Sequence, residues 1–280
     1  MRKPRLTFTF DLEDHRPDDR HPRRYPEVTR RVLRGLEARG VRGTVFVVGA
    51  VAKAVPDLIR EISAQGHEIA FHSFDHVPLP QQTRENFRAE TVDGKHLLED
   101  LTGKAVVGFR APVFSLTPDV QWALDVLQEA GFTYSSSVLP APSPLFGYAQ
   151  APRTPFFWPN GVLELPAPVA RFGPLVLPYL GGIYFRYLPG WVVRACVARA
   201  PDDAALWTYF HPYDFDPDEA FFRIKGAGWM TSALLWCNRR RTERKLNALF
   251  GRGGYEATPP FAEQIAAGLF SKSPVFQPAS

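Results

Sequence analysis

The stretch GHEIAFHSFDH, residues 66–76, decides how the rest of the chain is interpreted. Its apolar part, residues 68–71, predicts a short strand, and the histidines that follow, His72 and His76, are four positions apart. Residues at this offset in a turn or a first helical loop lie on one side of the chain. Two imidazoles on one side, with a carboxylate from elsewhere, form a facial set of ligands for a divalent metal. The stretch therefore predicts a metal site; the alternative is two polar loop residues.

Strands and helices alternate through the first half of the chain. Runs of β-branched and aromatic residues predict strands, and apolar residues at helical spacing, closed by glycines, predict the helices between them. The predicted strands cover residues 6–10, 44–48, 68–71 and 106–109, and another begins at 132. The alternation predicts an α/β fold with a parallel sheet, open or closed into a barrel.

The second half of the chain has a looser pattern. Many prolines and glycines between residues 140 and 189 predict a long insertion with short strands. Residues 205–210 predict a strand that ends at His211, and residues 231–250 predict an amphipathic helix. Partial disorder is expected beyond about residue 252. We predict one domain over residues 1–280, with a core at about 5–215 and a helical extension over 216–280.

Chemically reactive side chains recur just beyond the predicted strands. In a parallel sheet or barrel these strand ends converge on one face, where active sites are built. We therefore expect one rim to collect the following side chains: Asp11, Glu13, Asp14, His72, His76, Arg110 and His211.

Composition and charge exclude several classes of protein. The 280 residues carry a net charge of +4 and no basic run interleaved with aromatics, so no nucleic-acid partner is predicted. Two cysteines indicate neither a disulfide framework nor a thiolate zinc site. With no signal-peptide pattern and no apolar run long enough for a membrane span, the predicted location is cytoplasmic. Arg239, Arg240 and Arg241, with Arg244 and Lys245, predict a solvated helix face; contact with anionic lipid or polymer is the alternative.

Four motifs, in this order along the chain, carry a resemblance to a known family. They are Thr9-Phe10-Asp11, His72-Ser73-Phe74-Asp75-His76, Arg110-Ala111-Pro112 and Tyr209-Phe210-His211. Together they resemble the polysaccharide deacetylases (NodB homology, carbohydrate esterase family 4). Segments 11–14, 181–186 and 211–217 further resemble the bacterial branch associated with exopolysaccharide and exosortase clusters. The resemblance implies a distorted (β/α) barrel with fewer than eight regular strands.

The resemblance also implies roles for the rim residues. His72 and His76 would ligate the metal, most simply zinc, although cobalt or nickel also fit. Asp11 would be the general base, because it matches the first aspartate of the opening motif. Arg110 would keep Asp11 ionised and oriented, and His211 would be the general acid.

The third metal ligand is open between two carboxylates. Leu12 stands where the commonest family motif has a second aspartate, and it cannot ligate. Strand alternation places Glu13 on the face of Asp11. Asp14 is free to turn inward if the strand has already ended, and its shorter side chain gives it a slight preference.

One departure from the family pattern concerns the residues predicted to contact substrate. These are Pro112, Tyr134 and Ser135. Relatives usually carry an aspartate after the aromatic residue, but Ser135 stands there in this chain. A hydroxyl supplies a hydrogen bond but no charge, so weaker tuning of Arg110 or His211, and with it a lower rate, is expected.

The predicted reaction is metal-dependent hydrolysis of an N-acetyl group on a glycan or its biosynthetic precursor. Two alternatives stay open at this point. One is a deacylase or amidase acting on a lipid-linked sugar or a small cyclic amide. The other is a degenerate member of the family that only binds carbohydrate or a partner.

Overall fold

A computed structural model describes residues 5–224, 228–251 and 254–278 of the chain. Its strands, in chain order, are β1 (Arg5–Leu6), β2 (Phe8–Leu12), β3 (Gly43–Val47), β4 (Glu68–Phe71), β5 (Gly108–Phe109), β6 (Tyr134–Ser135), β7 (Phe156–Phe157), β8 (Leu163–Glu164), β9 (Val169–Phe172), β10 (Leu175–Pro178) and β11 (Glu256–Ala257). Its helices are α1 (Tyr25–Glu37), α2 (Gly49–Ala54), α3 (Pro56–Ala64), α4 (Arg84–Thr102), α5 (Trp122–Glu129), α6 (Gly182–Tyr187), α7 (Gly190–Ala198), α8 (Trp229–Trp236), α9 (Thr242–Phe250) and α10 (Phe261–Ala266).

One seven-stranded sheet organises the molecule, in the order β2-β3-β4-β5-β6-β8-β7. All neighbouring pairs are parallel except β7 with β8. Helices α1, α3, α4 and α5 lie between successive parallel strands, as crossover connections require. The predicted α/β fold with a parallel sheet is confirmed.

The segment before His211 extends the sheet beyond β2. Thr7 bridges to Trp207 and Phe10 to Phe210, both in parallel orientation, and Tyr209 bridges in turn to Gly181. These isolated bridges replace the continuous strand predicted over residues 205–210. Among the residues described, no strand pairing joins β7 back to this segment.

Helix α4 shows why the helices of the first half follow the sequence pattern. The Thr83 side chain accepts a hydrogen bond from the backbone N–H of Asn86, and Gly103 ends the helix in the left-handed conformation. Gly94, in the middle of the helix, lies against the ring of Phe71 in β4, where an added Cβ would come within 2.3 Å of ring carbons. The glycine therefore lets the helix approach the sheet closely.

The C-terminal part differs from the prediction in two respects. The helix predicted over residues 231–250 is two helices, α8 and α9, because Asn238 adopts a left-handed conformation between them. Partial disorder beyond residue 252 is wrong for residues 254–278. There β11 pairs with β1, and Phe261 of α10 is fully buried against the sheet.

In the part of the chain that the structure describes, no helix combines the length and the apolar character needed to cross a bilayer.

Candidate metal and active site

A single row of the sheet aligns the candidate residues. Backbone pairing joins, strand by strand, Leu12, Val47, Phe71, Phe109, Ser135 and Glu164. Glu13, His72 and Arg110 are each the first residue beyond this row. Because the carboxyl ends of parallel strands open onto one face, the register brings residues from distant parts of the sequence to one rim.

Glu13, His72 and His76 form a compact group of metal-ligand atoms. One ligand atom from each lies within 4.8 Å of the other two. The two imidazole rings are 5.0 Å apart, and Nε2 of His76 is 2.6 Å from a carboxylate oxygen of Glu13. Two imidazole nitrogens and one carboxylate, with the remaining positions open, suit zinc or another borderline divalent cation.

The hydrogen bonding of His72 prepares it for ligation. Its Nδ1 lies 2.8 Å from the carbonyl oxygen of Arg110, and because a carbonyl can only accept, Nδ1 carries the proton. The lone pair is then on Nε2, which is the arrangement found in metal-bound histidines. Burial lowers the pKa of the His72 imidazole to about 4, so it is neutral at pH 7.

The turn after β4 directs His76 back towards the site. Ser73 and His76 both adopt positive φ angles, 59° and 57°, which are uncommon for residues with side chains. Backbone N–H groups of Gly49 and Ala50 donate to the carbonyls of Ser73 and Phe74 and hold this turn against the start of α2. The strained conformation is therefore fixed by neighbouring structure, as is common at functional sites.

Asp11 and Arg110 form a buried ion pair beside the metal group. Nη1 of Arg110 donates to Asp11 Oδ1 at 2.5 Å and to the Thr9 hydroxyl at 2.9 Å. The guanidinium also donates to the carbonyl and hydroxyl of Ser136. Its Cζ lies 3.8 Å from the ring centre of Phe46 on one side. Arg110 is fully buried, so its orientation, and that of the Asp11 carboxylate, is fixed.

His211 faces both carboxylates from the opposite side. Its Nε2 is 3.9 Å from Asp11 Oδ2 and 4.0 Å from Glu13 Oε1. Its Nδ1 is 3.0 Å from Asp214 Oδ2, whose other oxygen is 3.1 Å from Nε of Arg186. Asp214 and Arg186 are fully buried. The chain from Arg186 through Asp214 to His211 orients the imidazole, as a carboxylate does for a catalytic histidine.

The neighbouring charges shift the pKa values of His211 and Glu13 in opposite directions. Burial would lower the pKa of His211, but Glu13, Asp214 and Asp11 raise it to about 9, so the imidazole is protonated at pH 7. Burial would raise the pKa of Glu13, but the imidazoles of His76, His211 and His72 hold it well below its usual range. An ionised carboxylate among neutral and protonated imidazoles is the state that metal binding and proton donation require.

The preference for Asp14 as the third ligand is corrected by the geometry. Asp14 is not part of the compact group; its carboxylate accepts hydrogen bonds from Arg16 instead, the shortest of them 2.7 Å. Glu13 occupies the position because β2 continues as far as Leu12, so the strand has not turned before the carboxylate is placed.

Tyr134 does not reach the rim. Its hydroxyl donates to Glu68, the first residue of β4, whereas His72 follows the other end of the same strand. The ring is fully buried and packs on Phe261, so the predicted contact with substrate is replaced by a contact in the core. Pro112 is also buried, and it begins a single 3₁₀ turn directly after Arg110 and Ala111.

Ser135 is buried, and a carboxylate lies directly across the sheet from it. Glu164 of β8 pairs with Ser135 in the backbone register. It accepts hydrogen bonds from the N–H groups of Ser137 and Val138 and from the indole of Trp158, at 2.7, 3.0 and 3.2 Å. A carboxylate therefore lies on the neighbouring strand across from position 135; burial raises the pKa of Glu164, and the hydrogen bonds that it accepts oppose this shift.

Sequence reasoning missed the roles of Asp214, Arg186 and Glu164. The segments that contain Arg186 and Asp214 stood out as motifs, but residues 28 positions apart gave no sign of an ion pair. Glu164 lies in a two-residue strand of the insertion, where only the pairing with β6 reveals its neighbour.

Family models match most of the chain in two parts. Residues 1–135 match the polysaccharide deacetylase family, and residues 136–259 match a domain of unknown function, DUF3473. The single-domain description and the exosortase-associated branch stay predictions.

Three curated relatives share part of their sequence with the chain. A Bacillus cereus peptidoglycan-N-acetylglucosamine deacetylase is 25% identical over 117 residues, which cover 38% of this chain and 42% of that protein. A Sinorhizobium fredii chitooligosaccharide deacetylase is 35% identical over 96 residues, 34% of this chain and 45% of that protein. A Bacillus subtilis peptidoglycan-N-acetylmuramic acid deacetylase is 37% identical over 76 residues, 27% and 29% of the two chains. The chain thus spans less than half the length of these relatives.

Solved structures share the fold. A Mycobacterium smegmatis protein, provisionally named a polysaccharide deacetylase, superposes with a TM-score of 0.65 at 21% identity, covering 99% of this chain and 95% of that one. A carbohydrate esterase family 4 pseudoenzyme from Bacillus anthracis gives a TM-score of 0.52 at 14% identity, covering 93% and 65%. The chain therefore contains a polysaccharide deacetylase domain over residues 1–135, followed by the DUF3473 region, and it shares the fold of these solved structures.

Proposed function

We propose that the chain removes N-acetyl groups from a glycan by metal-dependent hydrolysis. The observation that supports this most strongly is the arrangement of three units on one rim. These units are the ligand group Glu13, His72 and His76, the ion pair of Asp11 with Arg110, and the protonated His211, whose Nε2 is 3.9 Å from Asp11. A family match and deacetylase relatives give the same reaction class.

The proposed roles follow from charge and position. Glu13, His72 and His76 would hold a divalent cation, which when bound polarises the acetyl carbonyl and makes the attacking water more acidic. Asp11, oriented by its hydrogen bond from Arg110, accepts a proton from that water. His211 then donates its Nε2 proton to the departing nitrogen, while Asp214 holds the ring in place. Water is consumed, the carbon–nitrogen bond breaks, and acetate and a free amine form.

The Nε2 atom of His211 is not bonded to either neighbouring carboxylate. It lies about 4 Å from both Asp11 and Glu13, so it makes no direct hydrogen bond to either. Its proton is therefore available to a leaving group. We infer zinc as the cation, because the ligand set contains two imidazoles and one carboxylate.

The alternatives have less support. Ser135 was the one argument for a degenerate family member, and the Glu164 carboxylate lies directly across the sheet from it. No contact among the described residues favours a small cyclic amide.

The test measures acetate released from an N-acetylglucosamine oligomer by the purified chain. Release should stop after treatment with a chelator and return when zinc is added. Asp11→Asn and His211→Gln should each lower turnover at least about a hundredfold, in line with the loss of general base or acid catalysis. Glu27→Gln, at an exposed position in α1, serves as a charge-changing control. Full activity of the metal-free protein would contradict the mechanism.

A further inference from the structure

Helix α8 presents an entirely apolar face to solvent. Trp229 is 66% exposed, Met230 73% and Leu234 43%. At 100° per residue these side chains fall within one side of the helix, and Ala233 and Cys237 fall on the same side. Exposed aromatic and aliphatic side chains grouped on one element mark a surface that contacts something else.

The opposite face of α8 is fixed to the protein. The hydroxyl of Ser232 donates to the carbonyl of Gly228 and accepts from the N–H of Ile224, both at 3.1 Å. Trp236 packs edge-on against Phe222, with ring centres 4.7 Å apart. A helix that is apolar on all sides is normally buried on all sides, but the described residues of this chain cover only one side of α8.

Two aromatic side chains enlarge this surface. The hydroxyl of Tyr187, a 40% exposed residue, donates to the carbonyl of Leu234 at 3.2 Å. Phe221, 49% exposed, packs on Trp236 with ring centres 5.1 Å apart. We use the name α8 surface for these two residues together with Trp229, Met230 and Leu234.

Exposed arginines follow directly after α8. Arg240 and Arg241 lie in the turn that leads to α9, and Arg244 lies in its first turn. Among the described residues, none of the three is within ion-pair distance of a carboxylate. Glu243 is the one acidic residue between positions 228 and 251, so the local charge is positive. The solvated-face prediction is wrong for Arg239 and Lys245: Arg239 is buried beside Glu219, and Lys245 donates to carbonyls at the end of α6.

We propose that the α8 surface docks on an anionic lipid bilayer. Tryptophan and tyrosine favour the boundary between headgroups and acyl chains, and an apolar face flanked by arginine is typical of helices that lie in that boundary. The unpaired arginines complement anionic headgroups. With eight residues, α8 is far too short to span a membrane, so contact would be peripheral.

Contacts link the α8 surface to the active site. Nη1 of Arg186 donates to the carbonyls of Leu235 and Cys237, at the end of α8, at 2.6 and 3.2 Å. Nε of the same guanidinium is 3.1 Å from Asp214, which orients His211. Docking would therefore hold the rim beside the lipid headgroups. Resting on the proposed function, the inferred substrate is an N-acetylated sugar held at a membrane surface.

The binding test is co-sedimentation of the full chain with vesicles. Phosphatidylcholine vesicles that contain phosphatidylglycerol should bind the protein, and pure phosphatidylcholine vesicles should bind it less. Trp229→Ser/Met230→Ser should weaken binding at least about tenfold through lost apolar burial. Arg240→Gln/Arg241→Gln/Arg244→Gln should weaken it on the order of a hundredfold at low salt. Leu145→Ser/Leu269→Ser, which removes equally exposed apolar side chains elsewhere, should bind like the wild type.

Three results would overturn the docking proposal. The first is wild-type protein that stays in the supernatant with anionic vesicles. The second is a Trp229→Ser/Met230→Ser variant that sediments like the wild type. The third is a dimer in light scattering that this variant converts to monomers, since a second copy of the chain would then cover the surface.

A paired activity assay keeps this proposal separate from the proposed function. The Trp229→Ser/Met230→Ser variant should deacetylate a soluble oligosaccharide at the wild-type rate. It should be slower on a lipid with an N-acetylglucosamine headgroup in anionic vesicles. Wild-type protein that binds vesicles but releases acetate from neither substrate would refute the proposed function and leave docking intact. Equal rates on the lipid substrate would refute the inferred substrate.

Discussion

The buried pair of Asp11 and Arg110 allows a quantitative test of how the site is held together. Arg110→Met keeps an unbranched apolar side chain but removes the guanidinium, with every hydrogen bond it makes and its contact with the ring of Phe46. The Asp11 carboxylate, only 3% exposed, then loses the partner at 2.5 Å. Removing one member of a buried ion pair typically costs about 3–5 kcal/mol, because a charge stays in a poorly solvated place. We expect a loss of unfolding free energy in that range.

A double-mutant cycle measures the interaction itself. Asp11→Asn alone leaves the guanidinium without its charge partner and should cost about 2–4 kcal/mol. The double variant should be less destabilised than the sum of the two by about 1–3 kcal/mol, since neither partner is then left charged and alone. Urea titrations of chelator-treated protein, followed by tryptophan fluorescence and far-UV circular dichroism, give the four free energies without a contribution from bound metal.

The matched control is a surface pair of similar geometry. Arg30 in α1 donates two hydrogen bonds to Glu61 in α3, at 2.7 and 2.8 Å, but both side chains are about 40% exposed. Arg30→Met should cost less than about 1 kcal/mol, because exposed pairs are screened by water. If Arg110→Met costs no more than Arg30→Met, burial of the Asp11 charge does not determine the stability of the site and the reasoning fails.

Three further predictions concern the metal, the pH dependence and the packing. The first is measured by calorimetric zinc titration of chelator-treated protein. Glu13→Gln should lower zinc affinity by more than the roughly 10–100-fold that loss of a hydrogen bond to a metal ligand costs, whereas Asp14→Asn should leave zinc affinity unchanged. The reverse order would restore Asp14 as the ligand. Burial lowers the pKa of His67 from 6.5 to about 4, so the unfolded chain takes up the proton first as the pH falls. The stability that His67 contributes should be complete above about pH 6.5 and fall by about 3 kcal/mol towards pH 4. In urea titrations the decrease over this range should be smaller for His67→Gln than for the wild type, and equal decreases would contradict the assignment. Gly94→Ala should destabilise the protein by about 1–3 kcal/mol, because the added Cβ would clash with the ring of Phe71. Gly35→Ala in α1 should stabilise it by about 0.5–1 kcal/mol, because the Cβ there makes only an ordinary van der Waals contact. Thermal melts in which both variants shift the stability in the same direction would refute the packing argument.

The first half of the chain could be predicted from its sequence because local signals and tertiary structure agree there. The strand predicted at residues 68–71 is β4, and the strand predicted at 44–48 is β3 shifted by one residue. His72, His76, Arg110 and Asp11 meet because parallel strand ends converge, which the alternation of elements already implied. The choice between Glu13 and Asp14 depended on whether β2 ends before or after Leu12. Strand ends are the least predictable part of a sequence pattern.

The second half could not be predicted to the same extent because its structure depends on distant partners. Residues 207–210 join the sheet through isolated bridges to Thr7 and to Phe10 of β2, and not as a continuous strand. The break between α8 and α9 depends on one residue, Asn238, in a conformation that local helix propensity does not reveal. The ion pair of Arg186 with Asp214 arises from a fold-level contact between two segments that local periodicity treats separately.

The register that pairs Ser135 with Glu164 has a consequence for tracing ancestry and for redesign. Opposite positions on adjacent strands occupy almost the same place, so a functional carboxylate can change strands without moving far in space. A linear motif search scores such an exchange as a lost residue, although the local field around Arg110 keeps its sign. Comparisons of distant homologues should therefore align residues that pair between adjacent strands, and not only residues at the same sequence position. A variant that introduces Asp at position 135 should also remove Glu164.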